Sequence, residues 1–238
     1  RFRSVPGSGS RSASQGRMYR LFDEQGPNKY LKIMPLGLSE SLAREAEVLR
    51  WLEGKLPVPM VMFFACDGNY EFLLMSEIPG VPACDRAFEK DLPELIRLLA
   101  QGLRMIHSID ISGCPFDQRL SVKMKEAADR TAKGLVDEQD FDDIRQGRTA
   151  EDLLAELFRT KPAAEDLVFT HGDYCLPNMI IHNGGISGFV DWGRAGIADR
   201  YQDLALTGRS LTYNFGSEWV PLLFREYGLE RPDLEKGE

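Results

Sequence analysis

The chain has 238 residues and a formal net charge of −8, with apolar and charged shares ordinary for a globular protein. That length gives one large domain or two small ones with a sizeable core. The acidic balance argues against a nucleic-acid backbone as partner and suits a cationic ligand. No apolar run reaches the roughly 18 residues of a membrane span, and no signal-peptide pattern opens the chain. Cys66, Cys84, Cys114 and Cys175 are scattered without metal spacing, so they predict reduced thiols in a cytoplasmic protein.

Arg1 to Gln15 is rich in Ser, Gly and Arg and reads as a loosely packed start. Its stretch Ser8 to Gly16 could alternatively bring backbone N–H groups to phosphates. Met18 to Phe22 and Lys29 to Met34 are β-type runs around the turn signal at Asp23 to Asn28, and predict a hairpin. Ser39 to Glu53 predicts a helix capped by Ser39 or Ser41, with Leu42, Ala46, Leu49 and Leu52 at a period near 3.6. Glu45 falls inside that apolar stripe, and a core-facing carboxylate is costly unless paired. Lys32, on the strand upstream, is the candidate partner; the alternative is two solvated charges.

Val58 to Ala65 and Tyr70 to Met75 are two more strand-like runs. The break at Ser76-Glu77-Ile78-Pro79-Gly80 then marks a boundary between residues 1–77 and residues 78–238. Leu92 to His107 predicts an amphipathic core helix ending in a structural histidine. Lys123 to Leu135 and Ala150 to Phe158 predict two further helices, separated by the acidic run Asp137 to Asp143. That run is a solvated loop or a cation-binding patch.

Leu167 to Thr170 is a short strand leading into His171-Gly172-Asp173-Tyr174-Cys175-Leu176-Pro177-Asn178. Met179 to His182 and Ile186 to Val190 follow as a hairpin around Asn183-Gly184-Gly185. A hairpin returns the chain to its start, so Asp191 of Asp191-Trp192-Gly193 arrives beside Asn178. Protein kinases place His-Arg-Asp, an Asn five residues after the Asp, and Asp-Phe-Gly in this order. Asp173 can accept a proton from a substrate hydroxyl, while Asn178 and Asp191 can share Mg²⁺, which favours oxygen ligands. Beyond this run, Asp199 predicts a helix N-cap, and Asp203, one turn on, a structural anchor for the catalytic loop.

These motifs resemble the aminoglycoside 3′-phosphotransferases. The resemblance extends to Trp51 to Pro59, Leu74 to Glu77, Gly134 to Asp137 and Gly196 to Asp203, in order along nearly the whole chain. It implies an α+β, two-lobed protein-kinase-like fold: a small antiparallel-sheet lobe with one helix over residues 1–77, and a larger, mainly helical lobe over 78–238. It implies ATP and Mg²⁺ as cofactors, with Asp173 catalytic and Asn178 and Asp191 on the metal. Lys32 would hold ATP phosphates with Glu45 behind it. Ser76 and Ile78 would meet adenine, Tyr30 would offer a stacking face, and Ser14 would lie in the nucleotide-positioning loop.

Asp140, Asp142 and Asp143 match acidic positions for the antibiotic's ammonium groups, and Arg194 a basic residue near phosphate and substrate. The implied protein is a cytoplasmic bacterial resistance enzyme, a monomer or weak dimer, with no nucleic-acid or membrane partner. The alternatives are a kinase of another small hydroxyl-bearing amine or antibiotic, or a non-catalytic nucleotide-binding pseudokinase. The family carries a further acidic C-terminal segment that closes the acceptor site, whereas this sequence ends at Glu238. Ser210 and Tyr213 stand where relatives place acidic side chains.

Overall fold

The computed structural model describes residues 2–5, 16–22, 26–37, 41–141 and 145–229. Strand β1 (Phe2–Val5) pairs antiparallel with β2 (Arg17–Leu21), and the rest of the Arg1 to Gln15 stretch lies outside the described residues. β2 forms the expected hairpin with β3 (Lys29–Pro35). Helix α1 (Leu42–Leu52) follows, then β4 (Val61–Cys66) and β5 (Tyr70–Ser76). The five strands make one antiparallel sheet in the order β1-β2-β3-β5-β4. Glu71, Leu73 and Met75 alternate inward along β5, and α1 turns Leu42, Ala46, Val48, Leu49 and Leu52 into the core. The period-2 face of the strand and the 3.6-period face of the helix thus close a small lobe.

The start of α1 is set by two side chains. Ser41 is the N-cap, its hydroxyl accepting from Ala43 N. The buried Glu71 carboxylate accepts from Leu42 N at 2.6 Å and from the Ser41 hydroxyl at 3.0 Å. A carboxylate at a helix N-terminus meets unpaired N–H groups and the positive end of the helix dipole. This fixes α1 on the sheet from its first turn.

After the short strand β6 (Val81–Pro82), α2 (Leu92–His107) runs through the centre of the larger lobe. Its residues Leu95, Ile96, Leu99, Leu103 and Ile106 are all essentially inaccessible. Helices α3 (Leu120–Ala132) and α4 (Ala150–Thr160) follow. The predicted helix at Lys123 to Leu135 therefore begins and ends three residues earlier. Among its described residues, the acidic run between them forms a 3-10 turn, Glu138–Asp140. Glu138 is committed to structure, accepting from Ala150 N at the start of α4.

Strand β7 (Leu167–Thr170) leads to the hairpin β8 (Met179–His182) and β9 (Gly185–Phe189), and β10 (Gly196–Asp199) returns to pair with β7. Helices α5 (Tyr201–Phe215) and α6 (Val220–Tyr227) complete the described chain. Asp199 closes β10, and Arg200 takes the N-cap position of α5, in place of the Asp199 cap expected from sequence. Asp199 still accepts from Tyr201 N, so it satisfies a first-turn donor from a strand end. Among the described residues, no helix is long and apolar enough to cross a membrane.

Candidate active site

The run from His171 to Gly193 is positioned by its own hairpin. Met179 pairs with Phe189 across β8 and β9, and Val190 N donates to Asn178 O at 2.9 Å. Asp191 is therefore one residue beyond a backbone bond to Asn178. Asp191 itself has φ 70, and the following turn is locked by Trp192, fully buried, whose indole N–H donates to Phe189 O. The positive φ of a non-glycine residue is a strained conformation held by its surroundings. It projects the Asp191 carboxylate out of the turn, half exposed at 50 %.

The turn faces the small lobe. Lys32 on β3 donates to Glu45 Oε1 and Oε2 at 2.7 and 2.9 Å and to Asp191 Oδ1 at 2.9 Å. One ammonium thus joins the sheet, α1 and the Asp191 turn. Burial alone would disfavour the charge on Lys32, but the Glu45 and Asp191 carboxylates outweigh it and hold the ammonium above the usual lysine range. Burial pushes the Glu45 carboxyl up, against the pull of Lys32. The Lys32 charge holds Asp191 below the usual carboxylate range.

Asp173 stands on the loop between β7 and β8. Burial raises its carboxyl, opposed by the charges of His171 and Arg194. Asn178 Nδ2 donates to Asp173 O at 2.9 Å and approaches Asp173 Oδ2 at 3.3 Å and Cys175 Sγ at 3.2 Å. With the amide nitrogen turned toward Asp173, the planar amide directs its oxygen the other way. The Cys175 thiol is pushed up to about 12 by burial and the nearby carboxylates of Asp173 and Asp191, so it stays protonated.

The loop is suspended from a buried carboxylate. Asp203 on α5 accepts from His171 N at 2.7 Å and Gly172 N at 2.8 Å, and meets His107 Nε2 at 3.2 Å. His107 Nδ1 lies 2.7 Å from the Tyr227 hydroxyl on α6, which accepts from Arg200 Nη1 at 3.0 Å. Two more α5 hydroxyls grip the loop: Thr207 donates to Tyr174 O, and Ser210 accepts from Leu176 N. At Gly172 (φ 81) an added Cβ would lie 2.1 Å from Arg194 O, so the loop and the Asp191 turn touch backbone to backbone.

The remaining sequence candidates fall into three groups. Tyr30 lies on β3 opposite Met75, with burial raising its hydroxyl. Ser76 N donates to Met60 O, while Met60 N donates to the Ser76 hydroxyl instead of its carbonyl; Ile78 follows two residues on. Ser14, Asp142 and Asp143 lie outside the described residues, as does the side chain of Asp140. Sequence reasoning passed over Glu71, Thr207 and Arg44, whose guanidinium reaches Ala195 O across the lobes. Their partners are distant in sequence and leave no periodic signal. Ser210 has a structural part, its hydroxyl accepting from Leu176 N.

The model of the phosphotransferase enzyme family matches residues 11–238. The aminoglycoside 3′-phosphotransferase of Niallia circulans is 40 % identical over 224 residues, covering 94 % of this chain and 85 % of that protein. The chain belongs to the phosphotransferase enzyme family, among the aminoglycoside 3′-phosphotransferases. The crystal structure of an aminoglycoside 3′-phosphotransferase of type VIII superposes with a TM-score of 0.86 at 36 % identity, covering 99 % of this chain and 90 % of that one. An aminoglycoside phosphotransferase of Streptomyces rimosus, solved in complex with ADP and streptomycin, is 27 % identical with a TM-score of 0.78, over 92 % of this chain and 86 % of that chain. The two-lobed kinase-like fold is that of its relatives.

Proposed function

We propose that this enzyme transfers the γ-phosphoryl group of ATP to the 3′-hydroxyl of an aminoglycoside antibiotic in the bacterial cytoplasm, conferring resistance. The observation that carries the reading is the convergence of Lys32, Glu45, Asp191, Asn178 and Asp173 at the junction of the sheet lobe and the helical lobe, in a chain of this family. Phosphoryl transfer needs an aligned hydroxyl and neutralised charge more than covalent chemistry. Asp173 is the group to accept the hydroxyl proton. The Lys32 ammonium, braced by Glu45, is the group to meet phosphate oxygens.

The donor chemistry at Asn178 and Asp191 fits Mg²⁺. Both offer oxygen, Asp191 has one oxygen on Lys32 and another to give, and the Asn178 amide nitrogen is already engaged. Few protein ligands suffice, because Mg²⁺ keeps waters and phosphate oxygens in its shell. When bound, the ion neutralises phosphate charge.

Ser76 and Ile78 in the linker would meet adenine with Tyr30 beside it, and Ser14 would serve the phosphate-side loop. Asp140, Asp142 and Asp143 would hold acceptor ammonium groups through charge-assisted hydrogen bonds. Arg194, whose charge already acts on Asp173 and Asp191, would attend the phosphate. The lobe boundary falls at Glu77, and the enzyme acts as a monomer or weak dimer.

The test is ADP release with Mg²⁺-ATP across a panel of aminoglycosides, including analogues without the 3′-hydroxyl. Turnover restricted to acceptors with that hydroxyl is expected. Equal turnover without it would overturn the regiochemistry, and turnover only with other hydroxyl-bearing amines would reassign the acceptor.

A further inference from the structure

Helix α1 carries two adjacent charges that address different lobes. Glu45 faces Lys32 on the sheet. Arg44, about 100° around the helix, donates from Nη2 to Ala195 O at 2.9 Å, with its guanidinium carbon 5.2 Å from the Phe116 ring centre. Ala195 is fully buried and lies four residues past Asp191, in the turn closed by Ala195 N donating to Trp192 O. The next carbonyl, Gly196 O, accepts from the Thr170 hydroxyl, immediately before the catalytic loop. Arg44 thus grips the segment that ties the Asp191 turn to the loop bearing Asp173.

A second contact sits at the other end of α1. Trp51 lies 4.9 Å from Phe169 on β7 and 5.9 Å from Phe116, edge-on, with the Lys55 ammonium 3.2 Å over its ring. Trp51 and Arg44 share the Phe116 ring, so α1 is held along its length by the larger lobe as well as by its own sheet. A helix held at one end could still pivot. Held at both, it keeps Glu45 at a fixed distance from the Asp191 turn.

We propose that Arg44 is a positioning residue for phosphoryl transfer. By clamping α1 to Ala195 O it holds Glu45, and through Glu45 the Lys32 ammonium, in register with Asp191. This rests on the phosphotransferase reading and adds a residue that touches neither reacting group. A guanidinium suits the role because its plane can lie over a ring while an N–H at its edge donates to a carbonyl.

The test is a double-mutant cycle of Arg44→Met with Glu45→Gln, read in kcat and in the affinity for a non-hydrolysable ATP analogue. Arg44→Met is expected to lower kcat by about tenfold, the scale of one charge-assisted hydrogen bond, with the acceptor KM unchanged. In the Glu45→Gln background the same change should have almost no further effect on either readout. Should Arg44→Met not fold, Arg44→Lys carries the same cycle and is expected to lose a few-fold, again only while Glu45 is intact. Additive losses, or a loss confined to acceptor KM, would overturn the proposal. Analogue affinity needs no acceptor, so the cycle still decides the role of Arg44 if wild-type turnover fails and the functional reading falls.

Discussion

The Lys32 ammonium meets both oxygens of Glu45, at 2.7 and 2.9 Å, while the Glu45 side chain is only 3 % exposed. Removing one partner of such a pair leaves the other buried without compensation. Lys32→Ala is therefore expected to lower kcat/KM for ATP by about 10²–10³-fold, the loss typical of one preorganised charge-stabilising donor. Glu45→Gln should lose about tenfold, since Lys32 keeps Asp191 and an amide oxygen. Steady-state kinetics with ATP varied checks both. A Lys32→Ala enzyme within twofold of wild type would remove Lys32 from the phosphate site.

In the proposed reaction the Asp173 carboxylate receives the acceptor proton, and other residues make the nucleotide contacts. Asp173→Asn should then cost about 10²–10⁴-fold in kcat, with the affinity for an ATP analogue preserved. Titration of a fluorescent nucleotide beside the turnover assay separates the two. Full activity in Asp173→Asn would refute the base assignment, and equal loss of binding and turnover would make Asp173 a nucleotide-site residue.

The site is legible in sequence where its geometry is local. Asn178 follows Asp173 by five positions, and a Gly-Gly hairpin returns the chain to Asp191, so one short segment defines its own shape. Glu45 is legible because a carboxylate inside an apolar stripe demands a partner, and Lys32 supplies it. The supports are not legible in the same way. Glu71 reads as an ordinary strand residue until the fold places it under Leu42 N. Arg44 reads as a helix surface charge until Ala195, more than a hundred positions later, arrives beside it. Asp199 carries the right residue type for a helix cap, but pairing with Leu167 draws it into β10. These depend on tertiary placement, which overrides local preference.

Gly172 joins the two halves of the site by having no side chain. Its φ of 81 favours glycine, and an added Cβ would meet Arg194 O at 2.1 Å and Arg194 C at 2.7 Å. Both obstacles are backbone, so no rotamer change relieves them. Gly172→Ala is expected to cost about 2–4 kcal/mol in stability, combining backbone strain with overpacking. It should also lower kcat by pushing the Asp173 loop away from the Asp191 turn. Urea unfolding and turnover on the same preparation test this; Gly184→Ala, at φ 74 in open space, is the control with strain but no collision. Equal behaviour of the two variants would show that backbone contact at Gly172 does not matter.

Asp203 gives the site a signature in acid stability. Burial alone would raise its carboxyl, but hydrogen bonding and charge from His107, the charge of His171 and the His171 N–H hold it below the usual carboxylate range. A depressed folded-state pKa contributes stability that is present above the unfolded value of about 3.9. That contribution is lost as pH falls through the lower, folded value. At neutral pH, Asp203→Asn exchanges one carboxylate oxygen for an N–H that would face the donors now bonded to Asp203. A loss of about 3 kcal/mol is expected there, the scale for breaking a buried, charge-assisted network. As the pH is lowered through and below about 4, wild-type Asp203 takes up its proton and the gap between the two proteins should narrow. Urea midpoints of both, followed from pH 7 into that range, decide the point. A gap that stays constant while the wild type is still folded would mean that the Asp203 charge contributes nothing, and that the Asp173 loop hangs on shape alone.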